Sequence, residues 1–236
     1  MGARTMFGLM VRKEGLTRQE FQDHYRHPHG TMGMLITTMR SYVQSHQIDT
    51  DKLGDSQRVF EAVAELSFEN AEDLCNIRIE HVMSRFHNFD EPKFLDMRKT
   101  RLFIGMPEVL IFSPPISDDS EWPEIAWRLD NRPTSIKLLQ FFRAGAEDEL
   151  TRTDNAELGR QLGAYRMVMR HPATPHTMIE SRLHRPPDFI GAREIWWPTV
   201  TVFNKAVESS PRAWAELTGR PAEEVHSLLA RAERFR

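Results

Sequence analysis

The sequence predicts an α+β protein made of two tandem ferredoxin-like units, each with the element order β-α-β-β-α-β. The chain has 236 residues, which suits two domains of about 110–120 residues. Strand and helix patterns recur in the same order in both halves at an offset of about 120–130 residues, which indicates a diverged internal repeat. A stretch rich in Pro, Ser and Asp, residues 113–120, separates the halves and is typical of a linker.

These observations predict a first domain over residues 1–115, a connector over 116–134 and a second domain with C-terminal helices over 135–236. A βαββαβ unit carries its helices on one face of its sheet, so the other face must be covered by a second sheet. Two tandem copies can cover each other. The alternative is two independent copies, each of which pairs with another chain.

The first unit begins with a short apolar strand at residues 6–11. Thr17 and Glu20 have the spacing of a capping box, and Leu16 is placed to pack on Phe21 around it, so a helix begins there. Pro28 ends this helix, because proline lacks the N–H and clashes with the preceding turn.

The remaining elements of the first unit follow from alternation and spacing. A short helix is expected at residues 31–39, and the alternating residues 41–48 and 60–68 predict two strands. Asn70 is a good N-cap for a helix with apolar residues at helical spacing. Residues 101–112 predict the last strand.

The second unit shows the same kinds of signal, after a possible connector helix at residues 122–132. Ser210 with Pro211 predicts a helix start, and Gly219 its end. Pro221 is expected to begin a final helix. The other expected elements are a strand at 135–143, a helix at 154–162, strands at 164–170 and 195–203, and a last-helix face of Val225, Leu228, Leu229 and Ala232.

Composition and charge exclude several functions. A net charge of −3 with scattered Lys and Arg gives no basic field for nucleic acid or an anionic membrane. No run of roughly 18 apolar residues is present, and the N-terminus lacks the longer apolar run of a signal peptide. The single cysteine, Cys75, permits no intrachain disulfide and favours a reducing compartment. We therefore expect a cytoplasmic protein without a nucleic-acid or membrane partner.

Several spaced segments of residues 5–112 resemble the EthD family of dimeric α/β-barrel proteins. The segments are the strand 7–12 with the Leu16–Phe21 stretch LTRQEF, the stretch HYRHPHG at 24–30, RSYVQSH at 40–46, FEAVAELSF at 60–68, and residues 90–96. HYRHPHG is similar to the family's aromatic-then-histidine signature, which places His29 at the family's histidine position. The resemblance implies a barrel of two ferredoxin-like units and a small-molecule pocket in the first half.

The second half resembles the family only in outline. Its stretch DNAELGR at residues 154–160 has no histidine where the signature belongs, so we interpret this half as a degenerate second copy. The resemblance is compatible with many activities, among them monooxygenase, dehydratase, cyclase, isomerase, decarboxylase and haem-handling functions, and fold alone does not decide among them.

Histidine is the side chain best suited to move protons near neutral pH, and six of the ten histidines lie in the first half. His29 follows Pro28 at a helix C-terminus, where an imidazolium is favoured. The alternative is that His29 only binds the last carbonyl groups of that helix. His24 and His27 with His29 would suggest a metal site, but their spacing and the lack of a nearby carboxylate motif or cysteine favour a solvated helix face.

Alternation assigns polar side chains of two strands to the barrel interior. Tyr42, Gln44 and His46 share one face of their strand, and Glu65 lies on the polar face of the next. A buried carboxylate is costly unless it is paired or serves a ligand. We therefore expect Glu65 beside His46 as an acid/base pair, and a structural hydrogen bond or an exposed edge is the alternative.

Apolar and aromatic residues complete the candidate pocket. Tyr25 lies four residues after Phe21 and is expected in the core or against the substrate. Trp196 and Trp197 would line a pocket for a flat ligand or pack between the domains. Met10 suits an adaptable apolar cavity near the first helix.

The sequence thus predicts a cofactor-independent acid/base enzyme acting on a small aromatic or polyketide-like molecule, for example in aromatic compound catabolism. The reaction would be a lyase reaction (dehydration, decarboxylation or C–C cleavage), an isomerisation or a cyclisation. The expected catalytic residues are His29, His46, Glu65 and Tyr42; the expected substrate-binding residues are Tyr25, Gln44, Met10, Trp196 and Trp197. No Gly-rich phosphate loop is present, so no cofactor or metal is expected.

Two other functions remain open from the sequence. One is a small-molecule binding or accessory protein of a catabolic redox system, and the other is an oxygen-using or haem-handling member of the superfamily. Strand edges that need a partner favour a homodimer.

Overall fold

The computed structural model of the protein describes residues 2–77, 81–112, 132–173 and 188–236. The fold is mixed α+β: the strands of these segments form a closed antiparallel barrel, and the helices pack outside it. The strands are β1 Arg4–Met10, β2 Ser41–Gln47, β3 Ala62–Phe68, β4 Arg101–Ile111, β5 Thr134–Phe142, β6 Arg166–Pro172, β7 Gly191–Trp197 and β8 Val225–Arg234.

Strand order relates the two halves of the barrel. The order around the barrel is β1-β3-β2-β8-β5-β7-β6-β4, so in each half the fourth strand pairs with the first, the first with the third and the third with the second. The halves join where β2 pairs with β8, for example Val43 opposite Arg234, and where β4 pairs with β6. Closure leaves no strand edge to be paired by another chain. The strand-edge argument for a homodimer therefore does not apply.

Helices cover the outer face of the barrel on both halves. In the first half they are α1 Arg18–His24, α2 Thr31–Gly33, α3 Ala71–Asn76, α4 His81–Arg85 and α5 Glu91–Phe94, with wide π-type turns at Tyr25–Gly30 and Phe86–Asp90 and a 3₁₀ turn at Gly54–Arg58. In the second half they are α6 Glu147–Thr151, α7 Asn155–Gln161, α8 Val200–Ser209 and α9 Pro211–Thr218. No helix in the described segments is long and apolar enough to cross a membrane.

The expected start of α1 is confirmed. The backbone N–H of Glu20 donates to Thr17 Oγ1 at 3.2 Å, and the N–H of Thr17 donates to Glu20 Oε2 at 2.7 Å, so both halves of the capping box form. At the other end His27 has φ −144° and ψ 127°, because the residue before a proline avoids the helical region. The chain therefore leaves the helix just before Pro28 and His29.

Two aromatic layers form the core on either side of the barrel wall. Inside the barrel, the ring centroid of Phe7 lies 6.0 Å from that of Phe103 and 5.7 Å from that of Phe141. Outside it, Phe21 and Phe94 pack 5.7 Å apart beneath the first-half helices. Burial of each such side chain stabilises the fold by about 1.5–3 kcal/mol.

Two elements of the second half differ from expectation. The residues expected to form a final helix are strand β8, Val225–Arg234. Both faces of β8 are covered, so its run of apolar residues lacks the alternation that marks a half-buried strand. The expected strand at 195–203 ends at Trp197, and Thr199 then caps α8 by accepting from the N–H of Val202. Residues 113–131, which contain most of the expected connector, lie outside the described segments.

Candidate active site

The barrel wall separates the sequence-predicted site residues into two groups. Tyr42 and Met10 belong to the apolar cluster between the first-half sheet and its helices, and Gln44 and His46 share the face of Tyr42. Glu65 pairs in register with Val43, which lies on the opposite face. The expected assignment of the polar β2 face to the barrel interior is therefore wrong, and the expected Glu65–His46 pair does not form.

His29 is buried, with 6% of its surface exposed, and is held by a carboxylate that the sequence did not suggest. Its Nδ1 lies 2.8 Å from Oδ2 of Asp90, and Nε2 of His24 lies 2.9 Å from the other oxygen of the same carboxylate. An ionised carboxylate only accepts hydrogen bonds, so both histidine nitrogens donate to it. Within the described segments Nε2 of His29 has no hydrogen-bond partner, so this geometry leaves its lone pair available as a base.

Both partners of this pair lie in wide π-type turns. His29 belongs to the turn Tyr25–Gly30 and Asp90 to the turn Phe86–Asp90. Such turns are rare in helices and frequent at functional sites. The solvated helix face expected for His24 is not observed, because Asp90 holds His24 and His29 together.

Two neighbouring carboxyl groups at this site have oppositely shifted pKa values. Burial raises the pKa of Asp90, but the hydrogen bonds from His29 and His24 outweigh burial and lower that pKa overall. Burial raises the pKa of Glu91, and the charges of His29 and His87 only partly oppose this. Adjacent groups with pKa values pushed apart are typical of acid/base sites.

Aromatic rings surround the imidazole of His29. Its ring centroid lies 4.7 Å from that of Phe86, 5.1 Å from that of Phe94 and 5.7 Å from that of Tyr25. The three rings belong to the apolar cluster between the first-half sheet and its helices, so the imidazole lies in an apolar environment. Tyr25 thus contacts the imidazole and also belongs to the core.

His46 lies close to this group but is tied into a separate network. It hydrogen-bonds the side-chain amides of Gln22 and Gln44, and its ring centroid is 4.9 Å from that of Tyr25. Burial lowers the pKa of His46 to about 4, although Glu233 opposes the shift, so His46 is neutral at pH 7. Burial also raises the pKa of Tyr42, which keeps that hydroxyl protonated as a donor or acceptor.

Residues from the end of the chain complete this part of the molecule. Arg26 of the first half forms a two-point ion pair with Glu233, at 2.8 and 3.0 Å. The ring of Phe235 packs 5.6 Å from that of Tyr42. A Cβ placed on Gly30 would lie only 2.7 Å from both Phe235 and Gln44, so the glycine allows this close approach. Nothing in the local sequence signals these contacts, which join residues about 200 positions apart.

The corresponding layer of the second half is filled by its own side chains. Trp197 is fully buried, donates from Nε1 to the carbonyl of Leu162 at 2.6 Å, and packs on Phe203 at 5.1 Å. Arg193 is also fully buried and binds Glu149 at 2.9 Å. Trp197 therefore packs in the core, whereas Trp196 lies on the opposite face of β7 and lines a cavity inside the barrel.

Glu65 faces this barrel cavity, as its strand pattern predicts. Ser45 donates to Glu65 Oε1 at 2.6 Å, and Lys137 forms ion pairs with both Glu65 and Glu194. Sequence reasoning missed the partners of Glu65, although Lys137 and Glu194 each interrupt an apolar strand with a charge. Among the described residues, no group of three or more His, Cys, Asp or Glu side chains is arranged to hold a metal ion.

Comparisons with known proteins agree with this architecture. The chain has the mixed α+β fold of an eight-stranded antiparallel barrel, and residues 13–98 match the family model of the EthD domain. Those residues include His29 and Asp90. No curated protein matches the sequence.

Two solved structures resemble the whole chain. An anthrone oxidase-like protein has a TM-score of 0.53 at 12% identity, over 99% of this chain and 94% of that one. A variant of chlorite dismutase from Candidatus Nitrospira defluvii, in complex with cyanide, has a TM-score of 0.47 at 12% identity, over 98% and 91%. At such low identity the first likeness indicates a shared fold and no shared chemistry.

Proposed function

We propose that this protein is an enzyme that transfers protons on a small aromatic or polyketide-like molecule, with His29 as the acid/base group. The observation that carries the proposal is the buried 2.8 Å contact between His29 Nδ1 and Asp90. It fixes the tautomer that leaves Nε2 as a base, and the carboxylate stabilises the imidazolium once a proton is taken.

The chemistry follows from this pair. His29 Nε2 takes a proton from a carbon next to a carbonyl group, and the electrons of the C–H bond pass into the carbonyl as an enolate. The imidazolium then returns the proton to another carbon in an isomerisation, to the oxygen of a second carbonyl that the enolate carbon attacks in a cyclisation, or to a β-hydroxyl oxygen that departs as water in a dehydration. The raised pKa of Glu91 makes it a candidate second proton donor, and the rings of Phe86 and Phe94 support an aromatic substrate.

Tyr42, Gln44 and His46 act in this proposal as binding and positioning residues. They lie on the helix-facing side of β2, and Gln44 donates to the backbone carbonyl of Tyr25 at 2.7 Å. His46 is neutral at pH 7, so it orients neighbouring amides rather than moving a proton. Glu65 has no part in this proposal, because the barrel wall lies between it and His46.

We also infer that the barrel arose as two tandem ferredoxin-like units, over residues 1–115 and 135–236 with the connector between them. The shared strand order of the two halves supports this. Because both junctions between the halves are formed within one chain, a homodimer would use another surface. Light scattering of the purified protein tests whether it forms a homodimer. We also propose a cytoplasmic location, for which the single cysteine, Cys75, is the only support.

The proposal is tested by proton exchange rather than by a guessed product. Anthrone, whose CH₂ group is a carbon acid between two rings, is incubated with the full chain in D₂O, and exchange is followed by NMR. The same assay with phenolic ketones extends the range of probes. The wild-type protein should exchange the probe's protons faster than buffer alone does. His29→Gln should lower the catalysed exchange rate by about 10²–10⁴.

His27→Gln is the matched control, because His27 is exposed and, among the described residues, its side chain hydrogen-bonds only Thr31 Oγ1, at 2.9 Å. It should exchange at the wild-type rate. Saturable ligand binding without exchange for any probe would instead favour the accessory-protein function. Visible absorbance of the purified protein would favour the haem-handling one.

A further inference from the structure

The barrel encloses a polar cavity on the opposite side of the wall from His29. Its volume is about 140 Å³, close to the roughly 150 Å³ of an engineered cavity that holds benzene. It can therefore hold a small ion or organic molecule. Its lining includes five cationic side chains, two carboxylates, three serine hydroxyls and the hydroxyl of Tyr165.

The two carboxylates of the cavity already have partners in its wall. Lys137 pairs with both Glu65 and Glu194, and Arg170 Nε pairs with the second oxygen of Glu194. Two cations and two carboxylates are thereby joined in one buried network, so neither carboxylate is a free ligand for a further cation. A cation entering the cavity would have to displace Lys137 or Arg170.

Arg234 is the observation that points to an anion. It lines the same cavity, and its Nε is buried without a hydrogen-bond partner among the described residues. Within the described segments, the one hydrogen bond of its guanidinium runs from Nη1 to the carbonyl of Arg236 at 3.4 Å. A buried guanidinium N–H without a partner is costly, and an oxyanion is the partner that a guanidinium binds best.

Two further cations of the cavity wall pack against the ring of Trp196. The ammonium group of Lys137 lies 4.4 Å from its ring centroid, and the guanidinium of Arg166 lies 5.2 Å from it. Both cations are therefore held against one wall of the cavity. The hydroxyl groups of Ser41, Ser67 and Ser135 can donate to an oxyanion from other walls.

We propose that the cavity inside the barrel binds a small oxyanion, a carboxylate or a phosphate, through Arg234 and the serine hydroxyls. This site is separate from the proposed His29 site, because the sheet lies between them. The bound anion would join the two halves of the chain, since its wall draws on β2 and β3 of the first half and on β5, β7 and β8 of the second.

The test is calorimetric titration of the full chain with acetate and with inorganic phosphate, against chloride at equal ionic strength. Tryptophan fluorescence is recorded in parallel. Saturable binding of acetate or phosphate is expected, and the anion that binds identifies the class. Arg234→Gln should weaken binding by about ten- to a hundredfold.

Arg231→Gln is the matched control. It lies on the same strand but is exposed on the other face, so it removes the same charge without touching the cavity. Glu65→Gln should strengthen binding, because it removes a negative charge from the wall. His29→Gln should bind the anion as wild type does, which separates this site from the proposed catalytic one.

Trp196→Phe should abolish the fluorescence change that accompanies anion binding, while the calorimetric binding signal persists. This variant tests the location of the site even if Arg234→Gln fails to fold. No saturable binding of either anion would overturn the proposal. Equal weakening by Arg234→Gln and Arg231→Gln would also overturn it, since the effect would then be one of net charge.

Discussion

Replacement of Asp90 by Asn tests the central contact of the proposed active site. The carboxylate accepts from His29 and His24 at 2.8 and 2.9 Å. A hydrogen bond to a charged group contributes about 1.5–3 kcal/mol, against about 0.5–1.5 kcal/mol for a neutral one. The imidazolium therefore loses the difference, about 1–1.5 kcal/mol, and each 1.36 kcal/mol is tenfold in rate.

We therefore expect a rate about tenfold lower from this loss alone. A further decrease is expected because an amide NH₂ can donate to Nδ1, which favours the tautomer with the proton on Nε2. Half-saturation by the probe should change little, because Asp90 is 4% exposed and is bonded to the two histidines rather than presented to a ligand. The loss should thus fall on kcat.

The assay is exchange of anthrone protons in D₂O at saturating probe, with circular dichroism to confirm folding. Asp23→Asn is the control, since Asp23 is an exposed carboxylate one residue before His24, bonded to Gln19 at 2.7 Å. A folded Asp90→Asn protein with a rate within about twofold of wild type would refute the reasoning.

The pH dependence of the unfolding free energy gives an independent measure of the hydrogen bonds of Asp90. The pKa of Asp90 is lowered in the folded state. Its stabilising contribution is therefore present above the unfolded value, about 3.9, and is lost as pH falls through the folded value. Asp90→Asn should remove this acid-dependent part of the unfolding free energy.

Three further predictions concern the surroundings of the two sites. Lys137→Met should destabilise the fold by about 3–5 kcal/mol in urea unfolding, because it leaves two buried carboxylates without their shared cation; a loss below about 1 kcal/mol would contradict the ion-pair assignment. His46→Gln should flatten the pH dependence of stability between about pH 6.5 and 4: the folded pKa of about 4 lies below the unfolded value of about 6.5, so wild type loses stability as pH falls through this window. An unchanged slope would contradict the neutral His46. Gly30→Ala should lower stability by about 1–3 kcal/mol, because its Cβ would lie 2.7 Å from Gln44 and Phe235, and a wild-type melting temperature would show that this contact is not tight.

The sequence predicts the local elements of the first half well, because their signals are local. The capping box of Thr17 and Glu20 and the break at Pro28 depend on neighbouring residues, and both are confirmed. The predicted position of His29 just after a helix end follows from the same break. Asp90 lies 61 positions further along the chain, and no periodicity relates the two, so this partner could not be inferred.

Strand patterns predict which residues share a face but not which face points inward. Tyr42, Gln44 and His46 do lie together, as alternation requires. Their assignment to the barrel interior assumed that polar residues avoid the helices. In the molecule, β2 places Val43 opposite Glu65 inside the barrel, and the polar set is satisfied instead by Gln22 and the backbone of Tyr25.

The contrast between the halves explains why one barrel can hold two different kinds of site. Both halves share one strand order, and the first places the His29–Asp90 pair between its sheet and helices. In the second half the fully buried Trp197 and Arg193 fill that layer, and Glu149 neutralises the guanidinium. Burial lowers the pKa of Arg193 only to about 10, so this charge is fixed at neutral pH and contributes to packing rather than to proton transfer. Because closure within one chain frees the two halves from symmetry, the second half can fill this layer with packed side chains while the first keeps the pair proposed here for acid/base chemistry.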